Sequence, residues 1–216
     1  MATELVAAEG IECRVIQLDL SVESASDTLV VETQGLDVGL LVASAGFGTS
    51  GSFLDNPLDH ELEMLSVNCR ALVAQAWHFG RRFAHRGRGG MILLSSIVGF
   101  QGMPHAAHYA ATKAYVQALA EALAVELAPC SVAVLAAAPG PTQSGFAARA
   151  GMKMGKALEP RDIAQPILDA LGRRSTVLPG FLSKLLVYSL VPLPRWVRVR
   201  IMGLVMRGMT GHNRKA

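Results

Sequence analysis

The chain is poor in the features that mark whole classes of protein. Its three cysteines, Cys13, Cys69 and Cys130, are odd in number and widely scattered. That pattern argues against a disulfide framework and implies a reducing, cytoplasmic setting. The six histidines contain neither His-x-x-x-His nor His-Glu-x-x-His, so a metal site is not expected. No run approaches the ~18 apolar residues of a membrane span. The first 14 residues carry Glu4, Glu9 and Glu12 and no apolar run, unlike a signal peptide. No Gly-x-Ser-x-Gly occurs, so a serine hydrolase elbow is missing.

Acidic residues vanish from one region. From Phe181 to the C-terminus there are seven Lys/Arg and no Asp/Glu, leaving 13 of the 20 basic residues against all 17 acidic ones in the first 180. A mildly acidic body therefore carries a basic tail. Within it, 181–211 is rich in Leu, Val, Ile and Met, and Pro192 and Pro194 split it into two helices. A basic amphipathic segment with Trp196 suggests peripheral membrane contact; packing over a substrate entrance or against a partner copy is the alternative. Nucleic acid is not expected, because the body is acidic and the basic residues lack interleaved aromatic pairs.

What is present is an apolar fraction of 51% in 216 residues with only 6% aromatics, enough for one packed core of Ala- and Leu-rich helices on a sheet. Met91-Ile92-Leu93-Leu94 reads as a buried strand ending in Ser95-Ser96. Thirteen residues after Ser96 comes Tyr109, and four later Lys113. On a helix that spacing puts phenol and ammonium on one face. The cation should lower the phenol's pKa, preparing Tyr109 to exchange a proton with a carbonyl or alcohol oxygen.

Further strands are expected at Cys13–Leu18 and Leu36–Ala43, the latter an almost unbroken apolar run of the kind buried on both faces. Others are expected at Val132–Ala138 and Thr176–Gly180. Helices are expected at Ala2–Glu9, at Ser24–Thr33 with Ser21 as cap, and as one long helix from Leu58 to Ala84, with Leu62, Leu65, Leu72, Val73 and Trp77 as its apolar positions. Two more are expected at Ala106–Leu127 and Pro160–Leu171. Gly46-Phe47-Gly48-Thr49-Ser50-Gly51 matches Gly-x-Gly-x-x-Gly, but the next helix starts near Leu58, outside that turn. The match therefore does not read as a dinucleotide fingerprint.

The strand ending in Ser95-Ser96 and the Tyr109-x-x-x-Lys113 helix resemble the short-chain dehydrogenase/reductase family. The resemblance spans Gly10 to Gly180. It implies a Rossmann-like, doubly wound α/β fold with a parallel sheet, over residues 1–180, with 181–216 as a helical extension of the same domain. It also implies hydride exchange between NAD(P)(H), NADP favoured, and a carbonyl/alcohol pair. Tyr109 would be the general acid/base. Lys113 would hold the nicotinamide ribose, Ser96 would orient the substrate oxygen, and Asn68, in Ser66-Val67-Asn68, would hold a relay water.

Ala43-Ser44-Ala45-Gly46 stands where the family has Asn-Asn-Ala-Gly, so Ser44, Ala45 and Gly46 would approach the adenosine. Asp19-Leu20 matches the family's adenine contact, though Asp19 equally reads as a helix cap. Pro139-Gly140, with Thr142 and Ser144, resembles the turn that contacts the nicotinamide. Residues 145–156, with Met152 and Met154, match the substrate lid. The family's first strand, its Thr-Gly-x-x-x-Gly-x-Gly turn and its second strand have no counterpart, which reads as an N-terminal truncation with the first βαβ unit missing and leaves a catalytically weak or inactive remnant as the rival. A homo-oligomer and an apolar substrate complete the expectation.

Overall fold

The computed structural model describes residues 2–152, 155 and 157–210. Their strands are β1 (Leu40–Ala43), β2 (Gly89–Leu94), β3 (Val132–Ala137) and β4 (Thr176–Val177), hydrogen-bonded in that order. Every pairing is parallel, with Leu41 opposite Met91 and Met91 opposite Val134. Parallel neighbours need crossovers, and helices supply them. The helices are α1 (Ala2–Glu9), α2 (Ala25–Glu32), α3 (Leu58–Leu65), α4 (Leu72–Arg86), α5 (Ala107–Glu126), α6 (Phe146–Arg149), α7 (Pro160–Ala170), α8 (Phe181–Tyr188) and α9 (Arg195–Thr210).

The strands alternate between two cores, as a period of two dictates. Met91, Leu93, Val134 and Ala136 face α4 and α5, packing on Phe79, Phe83, Val116 and Ala120. Ile92, Leu135, Ala137 and Val177 face the other way, onto Ile167 and Ala170 of α7. Burying each of Phe79 and Phe83 stabilises the first layer by roughly 2–3 kcal/mol. Helices thus cover both faces of the sheet, the doubly wound arrangement expected.

Four local expectations are corrected. Cys13–Leu18 forms no strand; Val15 is exposed and no ladder joins this stretch to a described neighbour. An apolar pattern alone cannot supply a partner edge. Leu36–Ala43 shortens to β1 and is buried on one face only: Leu41 and Ala43 meet α4, while Leu40 and Val42 stay 37% and 49% exposed. The second core is built on β2, β3 and β4, so an edge strand keeps one face open. Ser21 does not cap α2; its N–H and hydroxyl both donate to Asp19 Oδ1, at 2.9 and 2.7 Å.

The long helix runs from Leu58 to Arg86 but is broken by a π-helical turn at Ser66–Ala71. Leu62, Leu65 and Trp77 are exposed, whereas Met64, Asn68 and Phe79 are buried. Pro192 and Pro194 do separate α8 from α9. Among the described residues no helix is long and apolar enough to cross a membrane.

Candidate active site

Three segments leave the sheet at the same edge: Ser44–Gly46 after β1, Ser95-Ser96 after β2 and Ala138–Gly140 after β3. Crevices outside the carboxyl ends of parallel strands are where such sheets bind ligands. The Ile97 N–H donates to the Pro139 carbonyl at 3.2 Å, tying the second segment to the third. Helix α5 crosses this edge and brings Tyr109 and Lys113 to it.

Lys113 is 6% exposed, and its Nζ donates to the Leu94 carbonyl at 2.7 Å. The Ser95 hydroxyl donates back to the Lys113 carbonyl at 2.9 Å. Lys113 Nζ lies 5.9 Å from the centroid of the Tyr109 ring. Ser96 Oγ accepts the Val98 N–H at 3.4 Å and lies near enough to the Tyr109 phenol to pull its pKa down. Ser96, Tyr109 and Lys113 are therefore brought together.

The electrostatics differ from the expectation. Burial pushes the Tyr109 phenol up to about 12, and Ser96 pulls it only part of the way back. Burial also pulls Lys113 down to about 8. In this closed geometry desolvation dominates, and the phenol is raised where the spacing with Lys113 suggested a lowered value.

Asn68 is fully buried at the π turn. The Phe47 N–H donates to its Oδ1 at 3.1 Å, and its Nδ2 donates to the Phe47 carbonyl at 2.8 Å and to Thr112 Oγ1 at 3.0 Å. Thr112 Oγ1 in turn donates to the Tyr109 carbonyl at 2.8 Å. The amide thus clamps the chain beyond β1 to α5, with one Oδ1 lone pair left over. Gly46 fits between these groups: a Cβ there would lie 2.9 Å from Asn68 Oδ1 and 3.4 Å from Lys113 Nζ.

Ser44, Ala45 and Gly46 are exposed at this edge. The Gly140 N–H donates to Ser183 Oγ of α8 at 3.1 Å, Thr142 Oγ1 donates to the Gly140 carbonyl at 3.1 Å, and Ser144 Oγ accepts from the Phe146 N–H at 3.3 Å. Asp19 and Leu20 lie in the turn before α2. Asp19 is exposed and held below its usual range by its bonds from Ser21, which matches the turn-forming use of that residue. On the apolar side, Tyr109 joins Phe47, Met64, Met103, Met152, Met202 and Met206 in one cluster. The Phe146 ring of α6 lies 5.1 Å from that of Tyr109, so part of the expected lid does cover the phenol; Met154 lies outside the described residues.

The residue-type pattern did not find Thr112, Ser183, the Phe47 backbone or the Leu94 carbonyl. Thr112 leaves a faint signal, a hydroxyl between Tyr109 and Lys113 in an Ala-rich helix. The others leave none, since a backbone group has no residue signature and Ser183 lies 43 residues beyond Gly140.

A family model described as short chain dehydrogenase matches residues 1–154. A 7beta-hydroxysteroid dehydrogenase of Collinsella aerofaciens is 29% identical over 193 residues, 85% of this chain and 73% of that one. One of Clostridium sardiniense is 30% identical over 181 residues, 81% and 69%. A solved structure concerned with the stereoselectivity of a 7beta-hydroxysteroid dehydrogenase superposes with a TM-score of 0.84 at 28% identity, covering 93% of this chain and 80% of that one. Another, described as an NAD(P) dependent gluconate 5-dehydrogenase from Beutenbergia cavernae with NADP at low occupancy, gives 0.72 at 28% identity, covering 82% and 78%.

Proposed function

The chain belongs to the short-chain dehydrogenase family, and from that premise we propose that Tyr109, Ser96, Lys113 and Asn68 are its proton-handling residues. The reaction is the NAD(P)-dependent interconversion of a carbonyl and an alcohol. The observation that carries the assignment is the convergence of Ser96, Tyr109 and Lys113 at the carboxyl end of β2.

The residues present fit the nicotinamide–ribose half of a dinucleotide. Gly46 is a position without room for a side chain beside Lys113 and Asn68, and Ser44 and Ala45 are open next to it. Lys113 would hold the ribose, with Pro139, Gly140, Thr142 and Ser144 against the nicotinamide side and Asp19 and Leu20 toward the adenine. No Thr-Gly-x-x-x-Gly-x-Gly turn occurs in the sequence, so no step is assigned to phosphate contacts. When bound, the nicotinamide supplies or accepts the hydride. NADP is favoured because the Beutenbergia cavernae relative carries it.

In the reducing direction Tyr109, a neutral phenol, gives its proton to the developing alkoxide. The Ser96 hydroxyl holds the substrate oxygen within reach of that phenol. Lys113 stabilises the phenolate left behind. The free lone pair on Asn68 Oδ1 and the Lys113 ammonium both border Gly46, a setting for a relay water that reprotonates Tyr109. The Met- and Phe-rich cluster beside Tyr109 suits a bulky apolar substrate, and the hydroxysteroid dehydrogenase relatives make a steroid-like ketone the first choice.

Residues 1–180 form the cofactor domain in this reading, 181–216 extend it, and the setting is cytoplasmic with peripheral membrane contact. A second copy of the chain covers the outer face of α3, α4 and α5. Leu65, Trp77 and Tyr115 are exposed there, and Leu65 and Tyr115 border an open groove of about 530 Å³; light scattering in solution tests that part.

The function itself is tested by following nicotinamide absorbance with NADPH and a 7-oxosteroid, with NADH and small ketones in parallel. Turnover that depends on Tyr109 is expected. Tight NADPH binding without turnover of any ketone would instead favour an inactive remnant.

A further inference from the structure

Helices α8 and α9 turn sharply different residues inward and outward. Inward, Ser183, Val187 and Leu190 of α8 and its following turn are buried, as are Met202 and Met206 of α9. Leu190, Met202 and Met206 pack in the cluster that holds Tyr109. An amphipathic helix that has buried its apolar stripe ordinarily leaves a polar face. Here the outer face is apolar again. Phe181, Leu185 and Tyr188, spaced i, i+4 and i+7, are 80%, 50% and 64% exposed. On α9, Trp196 and Leu204 are 62% and 67% exposed, and the exposed Arg200 and Arg207 continue the same i, i+4, i+8, i+11 stripe.

Among the described residues, the basic groups of this face form no ion pair. The ion pairs of the described residues involve Arg14, Arg70, His78, Arg86, Arg88 and Arg149, and none involves Lys184, Arg195, Arg200 or Arg207. The Arg200 guanidinium lies 5.2 Å over the Trp196 ring. No acidic residue occurs from Phe181 onward.

We propose that the outer face of α8 and α9 docks on an anionic lipid surface. A bilayer interface accepts this combination: rings and aliphatic chains enter the acyl boundary while Lys and Arg stems lie along them with their charges among the headgroups. An acidic soluble protein would meet the charges but leave Phe181, Tyr188 and Trp196 facing a polar surface. A second copy of the chain would bring two positive faces together. The helices are too short to span, so the contact is peripheral. Docking in this way sets the cluster beside Tyr109 directly behind the lipid-facing helices. The docking itself does not rest on the oxidoreductase assignment.

The test is sedimentation of the full chain with vesicles of phosphatidylcholine alone and of phosphatidylcholine with phosphatidylglycerol, in a Trp77→Phe background so that fluorescence reports Trp196. Expected are binding to the anionic vesicles, a blue shift of Trp196 and weakening at high salt. Two surface variants are compared. Lys184→Glu/Arg200→Glu/Arg207→Glu should lower the affinity at least about tenfold, since each basic residue near an anionic surface is worth about fivefold. Phe181→Ser/Trp196→Ser/Leu204→Ser should abolish stable association. Circular dichroism melting of each variant checks that the fold is kept. The proposal is overturned by failure to sediment with either vesicle, by equal binding to neutral and anionic vesicles, by variants that bind like the parent, or by self-association that displaces lipid.

Discussion

Lys113 sits 5.9 Å from the Tyr109 ring centroid, yet its Nζ is aimed at a backbone oxygen, the Leu94 carbonyl at 2.7 Å. The ammonium is thus held by a backbone group at the end of β2. Its neighbour is a phenol whose pKa burial raises.

Tyr109→Phe removes the proton donor and little else, because the ring stays packed against Phe146 and the methionines. Turnover is expected to fall about a hundred- to ten-thousand-fold, with NADPH affinity changed less than about twofold, as read by steady-state kinetics and by cofactor fluorescence titration.

Lys113→Met should raise stability while removing activity. The folded protein holds the ammonium at about 8 against 10.5 unfolded, so the unfolded chain binds the extra proton between those values. The wild type therefore gains stability as pH rises from about 8 to 10.5 and loses it as pH falls to about 8. The Met variant lacks this slope. Its advantage, about 3 kcal/mol below pH 8, should shrink as pH climbs, which thermal melts from pH 7 to 10 will show. Tyr109, raised above 10, contributes the opposite slope only from pH 10 to about 12.

Asn68→Ala strips partners from the buried Phe47 N–H and carbonyl and from Thr112. Leaving such groups unsatisfied costs roughly 1–3 kcal/mol each, partly relieved by entering water. A loss of about 3 kcal/mol in urea unfolding is expected, with weaker cofactor binding because Gly46 is released. Asn68→Asp should not rescue it, since a carboxylate cannot donate to the Phe47 carbonyl.

Gly140→Ala places a methyl 2.7 Å from Ser183 Oγ. Overpacking of that kind costs about 1–3 kcal/mol and should shift the turn that joins β3 to the cofactor side. Ser183→Ala alone should cost about 1 kcal/mol. In the double variant the two losses should not add, and a double-mutant cycle in urea measures the coupling between α8 and the Gly140 turn.

The convergence of Ser96, Tyr109 and Lys113 was legible because it is a property of residue spacing. A serine at a strand end and Tyr109 four before Lys113 on a helix need only local geometry to fall on one side. The parallel sheet was legible in the apolar runs 91–94 and 132–138, and Pro192 and Pro194 marked the break between α8 and α9. The same rules failed where a partner was needed. Cys13–Leu18 had a strand's composition but joins no described strand, and β1 had a buried strand's composition at a sheet edge that stays open on one face.

By itself, then, the sequence determined the family the chain belongs to, the chain order of Asn68, Ser96, Tyr109 and Lys113, and a tail that is basic and without acidic residues. Tertiary structure alone decided that Asn68 clamps Phe47 and Thr112, that Ser183 braces Gly140, and that burial moves the Tyr109 phenol up and not down. Those outcomes depend on burial and on backbone groups brought together from distant segments. Desolvation and hydrogen bonding act through space, and local spacing does not encode them.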